Sequence, residues 1–363
     1  MEAQDGQLSR IVIRGFKSIQ NCDIELNRIN IMIGSNGAGK SNFISAFDML
    51  QNVISRNLQL WVQTSGLNSL FYNGRKVTEE ICFEVYFNHN SYGFTLIPTD
   101  DNRMIFKNEF FGCEQEKYVT ATAHTESKWE NGTGNQSDAL IKAILREQNW
   151  RVYHFHDTSR SAKVKQVHSL SNNQVLLREA SNLAAFLYRL KKQYPESYRE
   201  IVETVQLIAP YFDDFVLVPQ EGNQEQILLR WKQKGSEDVF YPSQLSDGTL
   251  RFICLTTLLL QPSELQPAAI MIDEPELGLH PYAITVFAEM VKQVSSDRQL
   301  IISTQSVELL NEFDVQDIIV VNRGRNGSEF KRLNEEELRI WLENDYALGD
   351  LWQKNLLGGR LSL

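Results

Sequence analysis

The chain has 363 residues, enough to bury a sizeable core in one large domain or two. Hydrophobic residues make up 42% and charged residues 23%, the balance of an ordinary soluble globular protein. No run of about 18 apolar residues occurs, so no membrane span is expected. A net charge of -10 argues against a surface coated for nucleic-acid binding.

The charge is uneven, however. Residues 142 to 192 hold ten Lys or Arg against three Asp or Glu, a local net of +7 that leaves -17 for the rest. The opening MEAQDGQLSR is polar and acidic, unlike a secretory signal. Cys22, Cys82, Cys113 and Cys254 are scattered and form neither a metal-ligand pair nor a disulfide framework. A reducing, cytoplasmic setting is therefore expected. The tripeptides at 131 to 133 and 135 to 137 match a glycosylation pattern that has no meaning there.

In chain order, Ile11, Ile13 and Phe16 alternate with polar residues, and Ile29 to Ile33 is a short apolar run, so both read as strands. A glycine-rich turn follows. Phe43, Phe47, Leu50 and Ile54 then recur at helical spacing and predict one core-facing helix face. The segments ICFEVYF, YGFTLIP and RMIFKNEFF, divided by Asn- and Asp-rich turns, predict an antiparallel meander over 81 to 123. Residues 124 to 138 are polar and turn-rich and read as a mobile loop. Leu183, Leu187 and Leu190 mark one amphipathic helix; Ile201, Val205 and Ile208, after Pro195, mark a second. Strands are expected at Phe215 to Val218 and Ile227 to Leu229. The last third alternates strand and helix: AAIMID at 268 to 273, a helix after Pro281, QLIIST at 299 to 304 and DIIVV at 317 to 321. Such alternation predicts a parallel sheet covered by helices. No internal repeat and no long heptad run is present.

Three motifs carry chemistry. Gly34, Ser35, Asn36, Gly37, Ala38, Gly39, Lys40 and Ser41 match G-x-x-x-x-G-K-[ST], with a buried strand before and an amphipathic helix after. Such a loop curls backbone N–H groups around phosphate oxygens at the positive end of a helix dipole. Lys40 would reach the β- and γ-phosphates, and the Ser41 hydroxyl would ligate Mg²⁺. Second, the apolar strand at Ala269 to Ile272 delivers Asp273 and Glu274 to its carboxyl end, where ligands bind in such sheets. Asp273 would hold the metal and Glu274 would orient the attacking water. A plain surface Asp-Glu pair is the bland alternative. Third, Leu245-Ser246-Asp247-Gly248-Thr249 precedes a helix, so Ser246 and Gly248 sit at a helix N-terminus. That position either caps the helix or binds an anion.

With these residues in place, the resemblance can be named. LSDGT resembles the ABC signature LSGGQ, with Asp247 and Thr249 as departures. IRGFKSIQNCDIEL followed by INIMIGSNGAGKSN is similar to the start of SMC and RecF-type heads. QLSDGTLRF, IDEPELGLHP and IISTQS resemble the stand-alone ATPases of the AAA-21 group, related to OLD-family ATPases, as do YHFHDTS at 153 to 159 and the tail YALGDLWQKNLLGGR. The resemblance implies an α/β fold: an ABC-type P-loop ATPase head of mixed or parallel sheet with flanking helices, an antiparallel β lobe inserted after the first helix, and a mixed helical insertion. The implied parts are 1–138 (N-terminal part of the head with P-loop and lobe), 139–235 (mixed insertion) and 236–363 (C-terminal part with signature and the Asp273 strand).

The resemblance further implies ATP and Mg²⁺ as cofactors and a homodimer with ATP between two copies. Ser35 to Asn42 would line the phosphates, with Asn42 just inside the helix. Ser246 and Gly248 would reach the γ-phosphate held by the other copy, and Gly278, Leu279 and His280 match a loop that crosses that interface. Gln305 stands where many relatives place a switch histidine; it can hydrogen-bond a phosphate but cannot take on charge. Hydrolysis is therefore expected to be slow or partner-stimulated. No counterpart of the family's Q-loop glutamine is assigned. His154, His156 and Asp157 fit either a metal site, since His-x-His on a strand shares a face, or an ordinary half-buried strand. The basic segment 142–192 would contact nucleic-acid phosphates, or else the acidic remainder of the protein or an acidic effector. A transporter subunit is not expected. Nor is a nuclease: OLD nucleases carry a Toprim module after the ATPase, and only 58 residues follow Gln305.

Overall fold

The computed structural model describes residues 7–113, 116–131, 150–344 and 346–358. The chain forms two compact units: Met1–Val152 with Pro267–Met271 and Arg298–Leu363, and Tyr153–Gln266 with Ile272–Asp297.

The first unit carries two sheets. One is antiparallel and six-stranded, in the order Ile19–Glu25, Arg10–Phe16, Ile81–Phe87, Asn90–Pro98, Met104–Cys113, Glu116–Ala121. Strict alternation drives the pairing. In Ile81–Phe87 every second side chain is buried, so one face joins the core. The expected meander is present, but the N-terminal hairpin opens the same sheet, with Arg10 opposite Tyr86 on one side and Glu25 on the other. The lobe is thus begun before the glycine-rich turn, not only inserted after the first helix. The strand Glu116–Ala121 buries no side chain fully, so it gave no alternation to read.

The second sheet follows the order Gly327–Arg332, Ile318–Gly324, Ile29–Ile33, Gln299–Thr304, Ala269–Asp273, Trp150–Tyr153. Ile29–Ile33 is buried at all five positions. It pairs in parallel with both neighbours, Ile33 opposite Thr304 and Val320. Short strands buried on both faces are dominated by apolar residues, which is why the runs at 29 to 33 and 299 to 304 lack alternation, although Asn30, Gln299, Ser303 and Thr304 are buried with them. The helix Lys40–Ile54 buries Phe43, Phe47, Leu50 and Ile54 as the spacing predicts, and also Ala46, Met49 and Val53.

The expected mobile loop is tied down at least to residue 131. The buried Glu109 carboxyl accepts from the Tyr92 hydroxyl at 2.6 Å, the Lys128 N–H at 2.8 Å and the Ser127 hydroxyl, and it faces His124 Nε2 at 3.1 Å. The Trp129 indole N–H donates to the Ile54 carbonyl at 2.9 Å. Residues 132–138 of that expected loop, with part of the first glycosylation-like tripeptide and all of the second, and 142–149 of the basic segment lie outside the described residues.

The second unit holds the helices Leu183–Gln193, Pro195–Ile208, Asp247–Leu260 and Pro281–Val294. Two small antiparallel sheets accompany them. The strands expected at 215 to 218 and 227 to 229 are displaced: they run Phe212–Phe215 and Asn223–Ile227. Val216 still donates to the Arg230 carbonyl at 2.7 Å, but Pro219 follows and has no N–H to continue a ladder. Among the described residues no helix is long and apolar enough to cross a membrane.

The Glu109 cluster gives two predictions. Glu109→Gln turns an acceptor into a donor facing donors, and should cost about 1–3 kcal/mol by urea denaturation. Burial, with Glu109 beside it, pushes the Tyr92 hydroxyl well above its ordinary 10.0. The folded state therefore holds that proton more tightly than the unfolded one; the contribution is intact below the unfolded pKa and fades as pH rises past it. Denaturation midpoints should fall above about pH 10, and less steeply in Tyr92→Phe.

Candidate functional site

In the first unit, the strand Ile29–Ile33 ends in the glycine-rich turn and the helix Lys40–Ile54 begins at its far side. Gly37 and Gly39 adopt positive φ of 78° and 123°. At Gly39 a side chain is excluded outright, since a Cβ would collide with the Ser328 side chain. The Lys40 ammonium is buried and donates to the carbonyls of Gly34 at 2.6 Å and Ser35 at 3.3 Å. Ser41 is exposed. The Asn42 amide donates to Ser18 Oγ at 2.7 Å, which also meets Ser328 Oγ at 2.7 Å. Gln305 follows Thr304, whose partner Ile33 precedes the turn, so Gln305 leaves the sheet at the same end as Gly34. A Ser18–Ser328 brace behind the turn escaped the sequence reading because its members are 310 residues apart.

In the second unit, the Ser246 side chain caps the helix Asp247–Leu260 by accepting from the Thr249 N–H at 3.1 Å. Ser246 and Asp247 are exposed. Gly248 is required by a close approach: a Cβ there would collide with the carbonyl oxygen of Gly278. Gly278 itself sits at φ 72°, and His280 caps the next helix by accepting from the Tyr282 N–H at 3.3 Å. Asp273 is buried, and Glu274 stands at φ 43°, in the left-handed region that non-glycine residues avoid.

His154 and His156 lie just past the strand Trp150–Tyr153 rather than on it. Their ligand atoms and that of Asp273 fall within 4.8 Å of one another. Asp157 is not part of this trio; it accepts from the Ser159 N–H at 3.0 Å, and Ser159 holds its pKa below the usual carboxylate value. The hydrogen bonds have a polarity that bears on the metal reading. Arg178 can only donate, and its Nη2 is 2.6 Å from His154 Nε2. A carbonyl can only accept, and the Asp273 carbonyl is 2.6 Å from His156 Nε2. Both Nε2 atoms are therefore engaged.

Arg251 was missed by the sequence reading. It is buried in the helix Asp247–Leu260 and donates to the carbonyls of Phe155 at 2.9 Å and His156 at 3.0 Å. Burial lowers its pKa, and Asp247 opposes that. A lone charge in the apolar run LRFICLTTLLL was the available signal.

Several cations of the basic segment already have partners within the second unit. Lys163 meets Glu179 at 2.7 Å, Lys191 meets Asp214 at 2.7 Å and Lys165 meets Asp247 at 3.4 Å.

Two solved structures share this fold. An Smc head bound to the C-winged helix domain of ScpA matches with a TM-score of 0.62 at 15% identity, over 92% of this chain and 99% of that one. An Smc head domain with an extended coiled coil, bound to the C-terminal domain of ScpA from Pyrococcus furiosus, matches with a TM-score of 0.61 at 16% identity, over 93% and 99%. The fold is thus the ABC-type head of SMC proteins, with the antiparallel sheet beside it. The family model described as AAA ATPase domain matches residues 7–206, more than half of the chain. A second, described as AAA domain, putative AbiEii toxin, Type IV TA system, matches 139–311. The chain belongs to the AAA ATPase domain family. DNA replication and repair protein RecF of Aliivibrio salmonicida (strain LFI1238) is 36% identical over 76 residues, and that of Aliivibrio fischeri (strain MJ11) 35% over 77. These stretches are 20% of this chain and span only 21% of the RecF proteins.

Gly248→Ala forces either the helix start or the Gly278 turn to shift. It should cost about 1–3 kcal/mol in thermal or denaturant unfolding, as overpacking does.

Proposed function

We propose that the protein hydrolyses ATP to ADP and phosphate as an ATP-dependent homodimer, and that this cycle switches a DNA-associated process such as genome maintenance or anti-phage defence in a reducing cytosol. The observation that carries it is the strand, glycine turn and helix at 29 to 54 with the Lys40 ammonium already bonded to the turn's own carbonyls, in a chain of the AAA ATPase family.

The residues fit ATP and Mg²⁺. The turn is lined by backbone, and a Cβ at Gly37 would meet nothing within 4 Å. The Ser41 hydroxyl and the Asp273 carboxylate are hard oxygen donors, the kind Mg²⁺ takes. Bound Mg²⁺ would neutralise charge developing on the phosphates. In this reading Ser35 to Asn42 offer the phosphate cradle and Lys40 its cation. Glu274 orients and polarises the attacking water, and Gln305 hydrogen-bonds the γ-phosphate without taking charge. From the other copy, Ser246 and the Gly248 N–H meet the same phosphate at the helix N-terminus. Ser246 now caps its own helix, so it would share its hydroxyl between Thr249 and the phosphate. Half of each site from the partner makes ATP favour the dimer and hydrolysis release it.

Similarity to RecF supports the DNA-associated role. The second reading is a switch that holds or releases an effector protein without touching DNA. It is favoured by the ion pairs that already engage Lys163, Lys165 and Lys191, and by the ScpA domains bound to the similar heads.

Glu274→Gln should cut turnover about 100-fold or more and, with ATP and Mg²⁺, run as a dimer by light scattering, whereas Lys40→Ala should stay unresponsive to nucleotide. A monomeric Glu274→Gln under those conditions overturns the dimer. ATP-responsive DNA binding that weakens steeply with salt supports the first role; no binding at low salt, with a protein copurifying, supports the second.

A further inference from the structure

We propose that His156 is a positioning residue for Glu274: its Nε2–H holds the Asp273 carbonyl, and so fixes the peptide plane on which Glu274 is carried. The inference rests on the reading of Glu274 as the residue that orients water.

The case begins with backbone strain. Glu274 has φ 43°, a conformation that costs a non-glycine residue about 1 kcal/mol or more and persists only where the surroundings enforce it. The peptide entering Glu274 is the one whose carbonyl belongs to Asp273. That oxygen lies 2.6 Å from His156 Nε2. A carbonyl brings no proton, so the imidazole donates, and the ring is the Nε2–H tautomer at this contact. Rotating the peptide out of this plane would break the bond and swing the Glu274 side chain away.

The main chain that carries the ring is itself held. The His156 carbonyl accepts from Arg251 Nη2 at 3.0 Å and the Phe155 carbonyl from Arg251 Nε at 2.9 Å. Upstream, the His154 N–H donates to the Arg178 carbonyl at 3.1 Å. Arg251 belongs to the helix Asp247–Leu260, whose first turn contains Gly248. A continuous path therefore runs from the Ser246 helix through Arg251, the 155–156 backbone and the His156 ring to the Asp273–Glu274 peptide.

At His154 the same polarity disfavours a metal ion. Arg178 donates to His154 Nε2, which leaves the His154 proton on Nδ1, the atom 3.7 Å from Asp273 Oδ2. A protonated nitrogen cannot ligate a metal. His156 thus serves the strand end as a hydrogen-bond donor.

The test compares His156→Ala and His156→Gln in the full chain; the glutamine Nε2–H₂ can occupy the place of the ring Nε2–H. His156→Ala should lower kcat about tenfold, as loss of one positioned hydrogen bond would, with KM within about twofold and the melting temperature nearly unchanged. His156→Gln should recover most of kcat. Nitrogen-15 NMR of the imidazole should show the Nε2–H tautomer. An unchanged kcat in His156→Ala, a Gln variant as slow as the Ala variant, or a KM rising in step with the loss overturns the proposal. So does an Nδ1–H tautomer. Absence of turnover in the unsubstituted protein would instead overturn the ATPase reading, and the role of Glu274 with it, while the tautomer still reports whether the contact exists.

Discussion

The constraint on which the site depends is the parallel register of three short buried strands. Ile29–Ile33 has one polar side chain, Asn30, whose amide donates to the Asn27 and Leu300 carbonyls. Its backbone groups can be satisfied only by a neighbour on each side. Gln299–Thr304 and Ile318–Gly324 supply them in parallel, with Ile33 level with Thr304 and Val320. That register sends the glycine turn and Gln305 out of the same sheet end. Slipping either pair by one residue would draw the polar residues that flank these strands, Arg28 or Gln305, into the buried part of the sheet, so the loops are located by the core rather than by their own interactions.

A second constraint acts at Asp273 and Glu274. A buried strand ends there and the chain turns through a left-handed residue. Strain of that kind is stable only when other contacts over-determine it. The His156 ring and Arg251 provide such contacts within the same unit. The loop at Gly278 is fitted as tightly, since it meets Gly248 with no room for a Cβ. Packing at the start of the helix Asp247–Leu260 and geometry at the strand end are therefore not independent quantities.

The sequence made the elements legible where one physical signal dominated. Alternation at 81 to 87, mostly apolar runs at 29 to 33 and 299 to 304, and helical spacing at 43 to 54 each match the strand or helix observed. It was silent where burial gave no period, as in Glu116–Ala121, and misplaced the strands around Pro219 by a few residues. The polar stretch at 124 to 131 read as loose because composition shows neither the Glu109 carboxyl that gathers it nor the Ile54 carbonyl that receives Trp129. Motif spacing located the glycine turn, the Asp273 strand end and the Ser246 helix start. It could not reveal the His156–Asp273 bond, which joins residues 117 apart through a main-chain oxygen.

If the glycine turn takes a phosphate, as proposed, the posture of Lys40 has a consequence for how that phosphate is received. Its ammonium is already folded back onto two carbonyls of the loop it belongs to, so the side chain has surrendered its rotamer freedom before any anion arrives. An incoming phosphate then needs only to exchange one oxygen partner for another. The entropic penalty of capture is prepaid by the fold, and affinity becomes a contest between neutral carbonyls and a charged oxygen for the same three protons.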